Sequence, residues 1–326
     1  MAGIYIHIPF CKQACYYCNF HFSTSTALKS DMLQALQKEV ELSVDHNYAK
    51  GQEISTIYFG GGTPSLLNKR ELSDLLSTIK NSYPVNPSAE ITLEANPDDI
   101  DSVTLNDWKD AGVNRLSIGI QSFKDADLKW MNRAHNAADA AACIQMARDA
   151  GFHNFSIDLI YGTPDLDDDE WHQNVKKVLD LQVPHVACYA LTVEPGTALQ
   201  KMIKSGKKEE VSNDDQARQF RLLMQWMHEA GYEHYEISNF AKPGFRSCHN
   251  SSYWKGESYV GIGPSAHSYN GDARKWNIAN NSLYIQSIKN NTIPFEEEIL
   301  TADQKLNEYV MTALRTIEGI DLEFVS

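Results

Sequence analysis

The feature that most restricts the fold is a repeated alternation of short apolar runs with amphipathic helical patterns. Ile4 to Ile8, Thr56 to Phe59, Glu90 to Glu94, Arg115 to Gly119, Phe155 to Leu159 and His185 to Leu191 read as strands. Between and after them, Leu28 to His46, Lys69 to Asn81, Ser102 to Ala111, Ala137 to Ala150, Glu170 to Leu181 and Asn213 to Ala230 carry helical periodicity. Strands that are apolar on both faces and separated by helices imply a parallel sheet with right-handed crossovers, wound open or rolled into a barrel.

The chemistry-bearing residues choose between these. The cysteines follow the first strand, Gly60-Gly61-Gly62-Thr63-Pro64 follows the second, Glu94 ends the third, and Gln121 follows the fourth. A wound sheet gathers its ligand loops at one switch point, whereas contributions from successive strand ends point to a barrel rim. About six units predict an incomplete barrel.

Cys11-x3-Cys15-x2-Cys18 places three thiolates in one short loop. Three ligands hold three irons of a cubane and leave the fourth iron open, whereas structural zinc takes four ligands. His7 or His21 as a fourth ligand keeps zinc in play, but the position beside a glycine-rich loop favours the cluster. The scattered Cys143, Cys188 and Cys248 read as small buried hydrophobes. Six cysteines in 326 residues are too few for a disulfide framework and suit a reducing compartment.

The net charge of -14 disfavours nucleic acid and anionic lipid surfaces. No run approaches the roughly 20 apolar residues of a membrane span, and the N-terminus lacks a basic leader, so a cytoplasmic location is expected. Asp165 to Glu170 reads as an acidic helix start favoured by the dipole, and Met224, Trp226 and Met227 as core packing.

His7-Ile8-Pro9-Phe10-Cys11-x3-Cys15-x-Tyr17-Cys18 resembles the signature of radical-SAM proteins related to oxygen-independent coproporphyrinogen III oxidase. That resemblance implies an α/β fold, a partial (βα)6 TIM-like barrel of the radical-SAM type, with a [4Fe-4S] cluster on Cys11, Cys15 and Cys18. It implies S-adenosylmethionine chelated at the open iron, contacted by Tyr5, Gly61, Gly62, Thr63, Glu94, Gln121, Arg133, Asp158 and Ala190. Their chemistry suits the role: an arginine pairs with a carboxylate, acids and amides meet ribose hydroxyls, and glycines admit a close approach.

Two departures separate the chain from the oxidases. Phe20 stands where they carry a further cysteine, and the chain starts almost directly at the first strand. It is closer to haem chaperones of the same superfamily, whose His-Asn-x-x-Tyr-Trp motif is matched by His249-Asn250-Ser251-Ser252-Tyr253-Trp254. The resemblance implies haem as a third cofactor with His249 as a ligand, since imidazole is a common axial ligand. It also implies delivery to a haem-accepting protein, with a membrane-associated acceptor and a homodimer among the arrangements it allows. The alternative function is the oxidase itself, a radical decarboxylase, and the residues leave enzymatic activity open.

The pattern changes after Ala230 to glycine- and aromatic-rich loops, with Tyr259 to Ser268 expected to pass near the barrel mouth. The expected division is a barrel over 1–232 and a C-terminal α/β extension over 233–326 carrying the haem motif. The abrupt Phe324-Val325-Ser326 end suggests a truncation.

Overall fold

The computed structural model describes residues 2–46, 48–49 and 51–325. The end residue Ser326, on which the expected truncation turns, lies outside them. Six parallel strands, β1 (Ala2–Ile8), β2 (Ile54–Gly61), β3 (Val85–Ala95), β4 (Arg115–Gln121), β5 (Phe155–Tyr161) and β6 (His185–Ala190), stand side by side in sequence order. Sequential order means that the winding never reverses, so no switch point exists and right-handed crossovers leave their helices on one face. The curved sheet is the partial barrel expected, and it does not close.

Crossover helices Lys69–Ser82 and Asp168–Asp180 each bury one stripe, Leu72, Leu75, Leu76 and Ile79 on the first and Trp171, Val175 and Val178 on the second. Their polar faces remain outside. Caps set where they begin: Asn68 closes a capping box with Glu71, and Asp167 accepts the Glu170 amide. The acidic stretch is thus a helix start, with Asp165, Asp168 and Glu170 paired to Lys208, Arg218 and Lys124. On helix Asn213–Glu229, Met227 is core and Trp226 packs against it, but Met224 is exposed, a correction to its reading as core. The helix is covered on one side only.

Beyond residue 232 the chain returns to both edges of the sheet. A hairpin, β7 (Glu233–Glu236) and β8 (Asn239–Ala241), pairs antiparallel with β6. On the other edge β9 (Ser258–Ile262) runs parallel to β1, followed by antiparallel β10 (His267–Tyr269), β11 (Ala273–Asn277) and β12 (Phe295–Ile299). Among the described residues one sheet of twelve strands results. Residues 259–262, expected as part of a loop near the mouth, therefore belong to a strand. Gly261 is needed there because a Cβ would lie 2.0 Å from the His267 carbonyl oxygen.

A buried polar knot fastens this edge. Glu39, on helix Lys29–Ser43, accepts bonds from the Gly263 amide, Asn277 and Tyr284. Lys275 is buried nearby over the rings of Tyr48 and Phe295. Such groups are costly to bury and hold position only as a set.

Candidate functional site

The cysteine loop, leaving β1, is pinned at several points. The Cys11 amide donates to the Ser23 carbonyl, Ser23 in turn to Pro9, and Tyr16 to Met131. Gln13 donates to the Asn132 carbonyl, while the Asn132 amide group donates to Ala14. Lys12 forms ion pairs with Asp98 and Asp99 beyond β3. A loop without regular structure thereby gains a fixed shape.

Cys11, Cys15 and Cys18 all line one cavity of about 640 Å³ at the C-terminal ends of the strands, reaching into the barrel interior. Burial pushes the Cys11 thiol up to about 11 and also raises Cys18, with the neighbouring Cys15 adding to both. Opposing this, Thr63 bonds Cys11 and the Arg133 charge lowers both thiols; Arg133 also donates to the Cys15 sulfur at 3.4 Å. Among the described residues, no three His, Cys, Asp or Glu side chains are placed to close on a single metal ion.

The histidines needed for zinc are engaged elsewhere. His7 bonds the Tyr5 hydroxyl at 3.2 Å and the His21 carbonyl at 2.8 Å, and His21 bonds Asn281 at 2.7 Å. The donor set is three thiols facing a roomy cavity, which fits a cubane with an open iron and not a closed four-ligand zinc site.

The glycine turn after β2 serves the protein as well as any ligand. A Cβ on Gly61, whose φ is +107°, would sit 2.5 Å from His7 Nδ1, and one on Gly62 would sit 2.6 Å from the Phe10 carbonyl oxygen. These residues let the turn pack against the start of the cysteine loop. Gly61, Gly62 and Thr63 also line the cavity.

Glu94, at the end of β3, accepts from the Tyr58 hydroxyl at 2.9 Å and from the Gly61 amide at 3.1 Å. Burial, with repulsion from Asp158, pushes its carboxyl up to about 7. Burial also pushes Asp158 up to about 6, against the opposing charges of Arg115 and Arg133. Arg133 bonds Asn96 and the Gly119 carbonyl, at 2.5 and 2.7 Å, while Gln121 adopts a left-handed φ of 68° at the end of β4. Glu94, Gln121, Arg133, Asp158 and Ala190 all line the cavity.

Two expected site residues stand apart from it. Tyr5 lies behind Tyr58, ring against ring at 6.1 Å, and Tyr58 lines the cavity in its place. Period-two alternation along β2 carried that signal, because Thr56, Tyr58 and Gly60 share one face. His249 is 1% exposed, with one ring nitrogen 2.7 Å from the Thr56 hydroxyl and the other 2.9 Å from Tyr253. Both ring nitrogens are therefore engaged within the fold. Cys248 is exposed, contrary to its reading as a buried hydrophobe, whereas Cys143 and Cys188 are buried. Phe20, 68% exposed, also lines the cavity.

A curved six-strand parallel sheet with three cysteines facing a rim cavity defines a cluster-binding barrel of the radical type. The family model for the radical SAM superfamily matches residues 5–178, and the chain belongs to that superfamily. Membership implies a [4Fe-4S] cluster and S-adenosylmethionine.

Its relatives place it more narrowly, in the family of the haem chaperone HemW. The Bacillus subtilis (strain 168) protein of that name is 34% identical over 324 residues, covering 98% of this chain and 85% of the relative. The Escherichia coli (strain K12) HemW is 39% identical over 272 residues, 81% of this chain and 69% of the relative. Among solved structures, coproporphyrinogen III oxidase (HemN) from Escherichia coli superposes with a TM-score of 0.83 at 26% identity, covering 97% of this chain and 75% of that one.

Proposed function

We propose that this chain is a haem chaperone that binds haem and passes it to an acceptor protein. The alignment of HemW relatives along 98% of the chain carries this reading. Phe20 supports it against the oxidase, because that position offers the cavity an apolar ring and no thiol. On this reading Cys11, Cys15 and Cys18 hold the [4Fe-4S] cluster. Gly61, Gly62, Thr63, Glu94, Gln121, Arg133, Asp158 and Ala190 surround S-adenosylmethionine, with Tyr5 acting through Tyr58. Bound there, the pair supplies reductive cleavage of a sulfonium, while Arg133 and the two acids bind and orient the cofactor's polar groups.

Haem would meet the chain at the Cys248–Trp254 helix, where the exposed donor is the Cys248 thiol and His249 must first leave its two hydroxyl partners. The 1–232 segment would hold the cluster and cofactor, and 233–326 the haem motif. Among the described residues no helix is long and apolar enough to cross a membrane. We place the chaperone in the cytoplasm, where a membrane-associated acceptor and a homodimer remain arrangements to test.

Anaerobic haem titration of wild type beside Cys248→Ser and His249→Ala tests the reading. Haem retention that weakens in one of these variants is expected. Conversion of coproporphyrinogen to protoporphyrinogen by the reconstituted, reduced protein would establish the oxidase instead.

A further inference from the structure

The His249 ring is the middle of a connected column that ends at the cofactor cavity. It stacks on Tyr58 with centroids 5.0 Å apart and planes 21° from parallel. The Tyr58 hydroxyl bonds Glu94, whose second oxygen takes the Gly61 amide. On its far side Tyr58 meets Tyr5, which bonds His7 beneath the glycine turn. Rings and bonds thus link the Cys248–Trp254 helix to the cavity wall.

Two glycines are reserved for the column. A Cβ on Gly3 would lie 2.9 Å from the Thr56 hydroxyl and 3.3 Å from the His249 ring. One on Gly60 would lie 2.9 Å from both Tyr5 and Tyr58, and 3.0 Å from Glu94. The helix itself is anchored, for the Cys248 and His249 amides donate to the Glu90 carboxylate on β3 at 3.2 and 3.0 Å. A neutral imidazole has one donor and one acceptor, and the two flanking hydroxyls match either tautomer. Nothing on the ring is left unpaired.

We infer that His249 is a positioning residue for the S-adenosylmethionine cavity, holding Glu94 against the Gly61 amide through Tyr58. The inference rests on the assignment of the cavity to S-adenosylmethionine and does not require haem binding. It has a thermodynamic corollary. Any ligand that draws the imidazole out of the column loosens Glu94, so occupancy of the cavity and release of His249 oppose each other by the same factor in both directions.

The test uses the full chain, reconstituted anaerobically, with the S-adenosylmethionine dissociation constant and iron content as readouts. His249→Ala is expected to weaken S-adenosylmethionine about five- to tenfold, the scale of one hydrogen bond's net worth, at unchanged iron content. In His249→Gly, added imidazole should restore affinity, which a general loss of stability would not permit. Wild-type affinity in a folded His249→Ala protein overturns the inference, as does an effect that appears only as lost iron.

Should the alanine and glycine variants fail to fold, Tyr253→Phe decides, since it keeps the ring and removes only the hydroxyl. A loss of about two- to threefold is then expected, and an unchanged constant refutes the idea. Wild type that binds S-adenosylmethionine but no haem would end the chaperone reading alone.

Discussion

Glu94→Gln offers the sharpest test of the cavity's electrostatics. The Glu94 carboxyl is raised from 4.5 to about 7, first by burial and then by Asp158. Between those values the folded chain keeps a proton that the unfolded chain has released. Raising the pH through the window therefore costs stability, with the full cost present above about 7. At about 1.4 kcal/mol per pH unit the ceiling is about 3.4 kcal/mol. Glu94 is only partly buried and faces a cavity open to water, so about 1–2 kcal/mol is the expected remainder. Glutamine has no proton to lose, yet its amide opposes the Gly61 N–H. The variant should thus be about 1 kcal/mol weaker than wild type near pH 5 and close that gap, or reverse it, by pH 8. Urea denaturation of metal-free protein at both pH values measures this, and His7, His135 and His249, all held neutral by burial, cancel in the comparison. A constant difference between variant and wild type across the window would refute the assignment of a raised carboxyl to Glu94.

Cys11→Ser, Cys15→Ser or Cys18→Ser should each abolish the visible absorption of the reconstituted cluster, while far-ultraviolet circular dichroism of the metal-free protein stays native. Arg133→Lys keeps the charge but loses the planar fork bonded to Asn96, Gly119 and Cys15; titration should show S-adenosylmethionine affinity falling about tenfold. Gly61→Ala meets both a left-handed backbone and His7, so the denaturation midpoint should report about 2–4 kcal/mol of lost stability. Lys275→Met should be destabilising alone by about 2–4 kcal/mol and much less so combined with Glu39→Gln, a double-variant cycle that measures the coupling of two buried charges.

The sequence alone determined whatever is written over short spans. Strand and helix alternate because the hydrophobic period switches between two and 3.6, and each period is local. The three cysteines lie within eight residues, so their spacing announced a shared loop before any fold was known. Strand ends carrying Gly61, Glu94 and Gln121 met at one rim because parallel strands in a curved sheet all point their C-termini the same way. Neighbours across the sheet were decided only by tertiary structure. That β9 would join the free edge of β1, that Tyr58 would displace Tyr5 from the cavity, and that His249 would be sealed under Thr56 depend on contacts between residues far apart in the chain, 193 positions for His249 and Thr56. Burial is a property of what arrives from elsewhere in the chain, and a motif such as Cys248–Trp254 reads the same whether it ends up at the surface or under a barrel.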